Sequence, residues 1–263
     1  MHLSDTHFGT EDSAVVDALL ACLERFNSDL VVISGDITQR AYGKEFKAAR
    51  EFIKNLPAKR IICVPGNHDI PLFNLPARFI RPFYNYQKYL CRDLQTVYNS
   101  DQLCVVALNT VMPYKHVDGR VSKLQIDWVT NQLKSAPASA LKIVVAHHPF
   151  AVVLHDDKNN LINGANEAVD QWSRAGLDLI LGGHIHFPFF APLNTHFKGI
   201  EGDPWVVQTG TATSTRVRNN TPNAFVKLQF SAGRSSVCLQ RWDYDSEREI
   251  FFEAHCQYPW GLG

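Results

Sequence analysis

Two hydrophobic periods alternate along this chain. Val15, Val16, Leu19, Leu20, Leu23 and Phe26 recur at helical spacing, with Asp12 or Ser13 placed to cap the first turn, and predict a helix ending near Asn27. Leu30 to Ser34 and Arg60 to Val64 are short β-branched runs that read as buried strands, and Phe46, Ala49, Phe52, Ile53 and Leu56 mark a helix between them. Strand, helix and strand in this order predict βαβ units and a doubly wound first third. The Pro-, Tyr- and Phe-rich stretch from Pro71 to Leu94 breaks the alternation and is expected to lay an irregular helix over a cleft. A strand over Leu103–Asn109 follows, then a helix opened by Ser122 and Gln125, which have capping-box spacing, with Ile126, Trp128, Val129 and Leu133 inward. Leu141 to Ala146 and Asp178 to Leu181 read as strands on either side of a helix around Ala165 to Ala175.

Beyond this point the texture changes. Trp205 to Gln208, Ala224 to Phe230, Ser236 to Trp242 and Ile250 to Ala254 are short runs separated by turn residues. They predict a C-terminal antiparallel portion, about 205–255, forming a second sheet of the same domain. No repeat, low-complexity segment or linker interrupts the chain, so one domain over 1–263 is expected.

Composition narrows the possibilities. With 26 basic and 26 acidic residues among 263, the chain has no net positive field for long nucleic acid, and nucleic acid is not an expected partner. The six cysteines, Cys22, Cys63, Cys91, Cys104, Cys238 and Cys256, have no CxxC spacing and read as buried free thiols. With no leader-like N-terminus and no long apolar run, this points to a cytoplasmic protein without membrane attachment. A strand ordinarily has about five residues, more than Met1 to Ser4 provide before the first polar cluster, which raises the expectation of a start slightly upstream.

Five clusters carry candidate chemistry: Asp5-Thr6-His7, Gly35-Asp36, Gly66-Asn67-His68-Asp69, His147-His148-Pro149 and Gly183-His184-Ile185-His186. All but the first directly follow a strand-like run. In open α/β sheets ligands gather at the carboxyl ends of strands, so clusters distant in sequence can converge there. His and Asp with one Asn and no thiolate suit Zn, Mn, Fe or Co in a catalytic rather than a structural site. Two divalent ions opposed by the carboxylates of Asp5 and Asp36 would keep a positive surplus that attracts phosphate.

The clusters, in this order, resemble the DxH, GD, GNH(D/E), H-x-Pro and GHxH pattern of the calcineurin-like metallophosphoesterases, over Asp5 to His186. The stretches His2–Gly9, Gly35–Thr38 and Gly210–Ser214 look most like the class III cyclic nucleotide phosphodiesterases within that family. The resemblance implies a four-layer αββα sandwich of two mixed sheets. It implies two divalent or trivalent metal ions, one on Asp5, His7 and His186, the other on Asn67, His147 and His184, with Asp36 bridging. His147 rather than His148 follows from the family's spacing before proline. His68 would be an unliganded catalytic residue acting on the phosphate or its leaving group, and the nucleophile a metal-bridging hydroxide.

The expected activity is hydrolysis of a phosphodiester, a 3',5'-cyclic nucleotide or a small diester, by a protein that could pair as a homodimer. Alternatives are a phosphomonoesterase or nuclease of the same family, or a non-catalytic scaffold. Gln39 stands where the protein phosphatase branch has an aspartate supporting its catalytic histidine, which weakens a protein phosphatase reading. Asp69 is expected to brace a turn. His116, His155 and His196 are weighed as surface residues, Arg216 and Arg218 either as bidentate donors to a phosphate, if their loop folds back to the cleft, or as ordinary surface arginines, and Phe73, Phe79, Phe83, Tyr84, Tyr86 and Tyr89 as core or lid packing.

Overall fold

The structure, a computed structural model, describes residues 1–218, 221–234 and 236–260. In chain order its elements are β1 (His2–Leu3), α1 (Ser13–Glu24), β2 (Ser28–Ile33), α2 (Gly43–Lys54), β3 (Ala58–Cys63), α3 (Leu75–Ile80), α4 (Tyr84–Tyr89), β4 (Thr96–Asn99) and β5 (Leu103–Ala107). They continue with α5 (Lys123–Ser135), β6 (Leu141–Val145), α6 (Ala165–Arg174), β7 (Leu179–Gly182), β8 (Phe189–Pro192), β9 (Trp205–Gln208), β10 (Ala224–Phe230), β11 (Val237–Asp245) and β12 (Ile250–Trp260). They build two mixed sheets, ordered β12-β11-β10-β1-β2-β3 and β4-β5-β6-β7-β9-β8.

Three hydrophobic clusters define four layers. Val32, Ile62, Val105, Ile143, Leu181 and Val226, drawn from both sheets, fill the space between them. Leu19 and Leu23 of α1 with Phe46 and Phe52 of α2 cover the outer face of the first sheet. Val129 of α5 and Trp172 of α6 cover that of the second. The result is the αββα sandwich. Local chemistry agrees with it: the Asp12 carboxylate accepts the Ala14 N–H at 3.0 Å at the start of α1, and Ser122 and Gln125 form their capping box on α5.

The C-terminal strands depart from expectation. They do not form a sheet of their own. β10 pairs antiparallel with β1 through His2 and Val226, and β11 and β12 extend the first sheet from there. Trp205–Gln208 is instead β9, parallel to β7 in the second sheet. The physical reason is that β1 is only two residues long and needs partners on both sides, while β7 would otherwise end the second sheet with an open edge. The edge strands β4 and β8, four residues each, carry too short a pattern to have been anticipated.

The segment after His68 forms α3 and α4, two short helices. Arg78 on α3 is buried and forms no ion pair among the described residues. Its guanidinium donates to three main-chain carbonyls, those of Pro113 at 2.6 Å, Pro71 at 2.9 Å and Lys115 at 2.7 Å. It thereby ties the loop after β3 to the loop after β5. Losing these part-buried hydrogen bonds to a charged donor removes an interaction of about 1–3 kcal/mol each at most, less where water replaces the donor. Arg78→Leu is therefore expected to lower the thermal midpoint and speed protease cleavage near residues 71–74 and 113–117; an unchanged midpoint would show that solvent replaces the guanidinium without loss.

Candidate metal centre

The polar clusters leave the carboxyl ends of parallel strands. β1 is followed by Asp5 and His7, β2 by Asp36, β3 by Asn67 and His68, β6 by His147, and β7 by His184 and His186. Asp5, His7, Asp36, His184 and His186 have φ of 52°, 44°, 49°, 74° and 54°. Non-glycine residues seldom occupy this left-handed region, at about 1–3 kcal/mol each, so the strain falls on the candidate ligands. Cross-loop bonds hold it: the Asp5 N–H donates to Gly35 O and the His7 N–H to Asp36 O, both at 3.0 Å, and the His184 N–H donates to the Asp5 carboxylate at 3.0 Å. Two glycines permit the approach, because a Cβ on Gly66 would overlap the Asp36 backbone and carboxylate, and one on Gly183 would overlap Ser4 and Asp5.

Two groups of ligand atoms result. In the first, Asp5 Oδ1 lies 3.2 Å from His186 Nε2, and His7 Nε2 lies 3.0 Å from His186 Nε2. In the second, His147 Nε2 lies 3.3 Å from Asp36 Oδ2 and 3.2 Å from His184 Nδ1, and Asn67 Oδ1 lies 3.2 Å from His147 Nε2 and 3.0 Å from His184 Nδ1. Asp36 Oδ2 is also 3.8 Å from His7 Nε2, so this carboxylate faces both groups. The tautomers point lone pairs inward. His186 Nδ1 donates to the Arg216 carbonyl at 2.7 Å and His147 Nδ1 to the Ser34 carbonyl at 2.9 Å, which leaves each Nε2 as the acceptor when the ring is neutral. Acceptors packed this closely need cations or protons between them, and the donor set fits two metal ions of the Zn, Mn, Fe or Co kind.

His148 lies outside both groups, its Nδ1 2.7 Å from the Thr110 hydroxyl and its Nε2 3.0 Å from the Val117 carbonyl. His68 lies at their border. Its N–H donates to Asp36 Oδ1 at 2.8 Å, its Nδ1 to the Gln39 carbonyl at 2.9 Å, and its ring packs edge-on to His7 at 4.9 Å. Asp69 braces the site, accepting from the N–H groups of Ile37, Thr38 and Gly66 at 2.8 to 3.0 Å.

Among residues weighed as surface groups, Arg218 is engaged by Asp157 at 2.6 Å. Arg216 is not: its guanidinium reaches Gln39 Oε1 at 3.1 Å and His68 Nε2 at 3.4 Å. Its loop does fold back to the cleft, the condition set for its meeting a phosphate. Phe83 and Tyr86 are core residues, whereas Phe73 is exposed at the rim with Arg40 over its ring.

Burial and charge shape the titrations. Burial raises the Asp5 and Asp36 carboxyls, but His186 and His147 respectively outweigh it and hold both below the usual range. Burial pushes His7 and His184 down to about 3, keeping them neutral. His147 is lowered by burial but held up at about 9 by the Asp36 carboxylate.

Comparison with known proteins gives this geometry its class. The family described as calcineurin-like phosphoesterase matches residues 1–188. The chain belongs to that family. Membership carries metal-dependent hydrolysis of a phosphoric ester. Relatives include a probable glycerophosphodiester phosphodiesterase of Arcobacter nitrofigilis, 26% identical over 71% of each chain. A probable cyclic nucleotide phosphodiesterase of a Synechococcus species is 26% identical over 65% of this chain and 63% of its own. A 3',5'-cyclic adenosine monophosphate phosphodiesterase of Escherichia coli K12 is 27% identical over 66% of this chain and 59% of its own. A dimetal phosphatase from Danio rerio has the same fold at TM-score 0.67 and 11% identity, covering 98% of this chain and 96% of its own. A purple acid phosphatase from yellow lupin aligns at TM-score 0.65 and 14% identity, covering 96% of this chain and 52% of its own. Among the described residues, no helix is long and apolar enough to cross a membrane.

The His147 titration makes a prediction. Below about pH 9 a proton occupies a ligand nitrogen in the metal-free protein and must leave when a cation binds, so apparent affinity should rise with pH up to that point. Calorimetric titration of Mn at pH 7 in buffers of different ionisation enthalpy should report net proton release; identical heats would contradict it.

Proposed function

We propose that this protein hydrolyses small phosphodiesters, with 3',5'-cyclic nucleotides and glycerophosphodiesters as the first candidates, by means of two metal ions. The observation that carries the reading is the pair of acceptor groups facing one shared carboxylate, Asp36, with His68 beside them. The activities named for three sequence relatives support diesters over monoesters. The equal counts of acidic and basic residues favour a small substrate over a nucleic acid track.

On this reading Asp5, His7 and His186 hold one ion, Asn67, His147 and His184 the other, and Asp36 both. When bound, the ions supply Lewis acidity and an activated nucleophile at neutral pH. The chain's own part is orientation and proton delivery. The Gln39 carbonyl fixes the His68 ring by accepting its Nδ1 proton, which turns Nε2 toward the phosphate; there the imidazolium form, carrying a second proton on Nε2, can act as general acid to the leaving oxygen. The Ser34 and Arg216 carbonyls hold His147 and His186 in the tautomer that ligates through Nε2.

The test compares bis(p-nitrophenyl) phosphate, 3',5'-cyclic AMP and p-nitrophenyl phosphate with protein reloaded with Mn, Fe, Co or Zn. Diesters should be preferred, and a preference for the monoester would move the reading to a phosphatase. Asp36→Ala should lose both metal and turnover, whereas an interaction scaffold would be indifferent to it. His68→Asn should retain metal while turnover falls about 10²–10⁴-fold; unchanged turnover would remove His68 from the mechanism.

A further inference from the structure

Among the described residues, Arg216 stands in the cleft as a cation without a counter-ion. The other arginine of its loop, Arg218, meets Asp157, and Arg234 and Arg241 meet Asp178 and Asp243. Arg216 forms no ion pair among the described residues, and its side-chain partners are the neutral amide oxygen of Gln39 and the ring nitrogen of His68. It is exposed, but its loop is anchored. The hydroxyl of Thr213 donates to the Thr6 carbonyl at 3.0 Å, the Ala212 N–H to Ser4 O at 2.9 Å, and the Thr215 N–H to Thr10 O at 2.9 Å. The Arg216 carbonyl meanwhile receives the His186 ring, which fixes the residue's main chain against the first ligand group.

We infer that Arg216 binds the substrate's phosphate, donating to a non-bridging oxygen beside His68 and so setting affinity for the ester. This rests on the phosphodiester reading above. The geometry supplies a guanidinium whose side-chain partners carry no negative charge. The Arg216 guanidinium and His68 Nε2 lie 3.4 Å apart and border the same space beside Asp36, where a phosphate oxygen is an acceptor that the guanidinium can engage. A guanidinium also offers several N–H groups in a fixed fork, so it can keep Gln39 Oε1 while engaging phosphate. Gln39 suits this role because a carboxylate in its place would neutralise the cation that must attract substrate.

The experiment uses Mn-loaded protein and two probes, inorganic phosphate by calorimetry and bis(p-nitrophenyl) phosphate by turnover. Arg216→Gln should weaken phosphate binding and raise KM about 10- to 100-fold, with kcat less affected and bound Mn unchanged, since the main-chain carbonyl that holds His186 is retained. Arg216→Lys should recover part of the loss. Gln39→Glu, which places a carboxylate against an intact Arg216, should reproduce the weakening. Wild-type phosphate affinity and KM in Arg216→Gln at full metal content would overturn the assignment. If the wild type hydrolyses no diester, the phosphodiester reading fails, yet the phosphate titration of wild type against Arg216→Gln still decides whether this arginine is an anion ligand; equal binding overturns the inference in that case too.

Discussion

The centre depends on one buried carboxylate. Asp36 is almost without solvent, and its two oxygens do different work: Oδ1 accepts the His68 N–H, while Oδ2 faces His147 at 3.3 Å and His7 at 3.8 Å. A carboxylate without water is tolerated only where cations or donors surround it. Here they come from loops after β1, β3 and β6, so the carboxylate that holds charge also fixes how the two sheets meet at this edge. Gly66 is part of the same constraint, since a side chain there would occupy the space of the carboxylate.

The surrounding backbone is arranged to hold acceptors close together against their preference. Five candidate ligand residues in the left-handed region, two imidazole nitrogens 3.0 Å apart, and carboxylates beside them are unfavourable in an isolated chain. Hydrogen bonds from Asp69 and the Thr211–Thr215 loop, together with the packed cores on both sides, stabilise the arrangement. Such local conflict inside an otherwise consistent fold is expected where binding energy from a ligand is to be used.

Much of this was legible in the residues. The parallel strands and their helices follow from periodicity, and the glycine, histidine and aspartate clusters mark the strand ends because few other roles would place so many acceptors after apolar runs. The partnership of the C-terminal strands was not legible. Whether Ala224–Phe230 joins β1 or starts a new sheet depends on which edge is left open, and that is decided by the two-residue length of β1 rather than by anything within the strand itself. Which of Arg216 and Arg218 faces the cleft was left open for a similar reason: Arg218 is paired with Asp157, and only the pairing of the loop with Ser4–Thr10 brings the Arg216 side chain to His68.

Gln39 shows how a change of one side chain alters the electrostatics without altering the support. A histidine beside a metal centre needs its ring orientation fixed, and a carboxylate at Nδ1 would do so at the expense of a negative charge next to the incoming phosphate. In this chain the Gln39 carbonyl serves instead, at 2.9 Å, and its own position is set by the Gln39 N–H donating to Phe8 O at 3.0 Å. The amide side chain is then available to Arg216, and no acid is added to a cleft whose ligands already include two. Orientation is thereby separated from charge: the main chain supplies the first, and the positive character that favours an anionic ester is left intact.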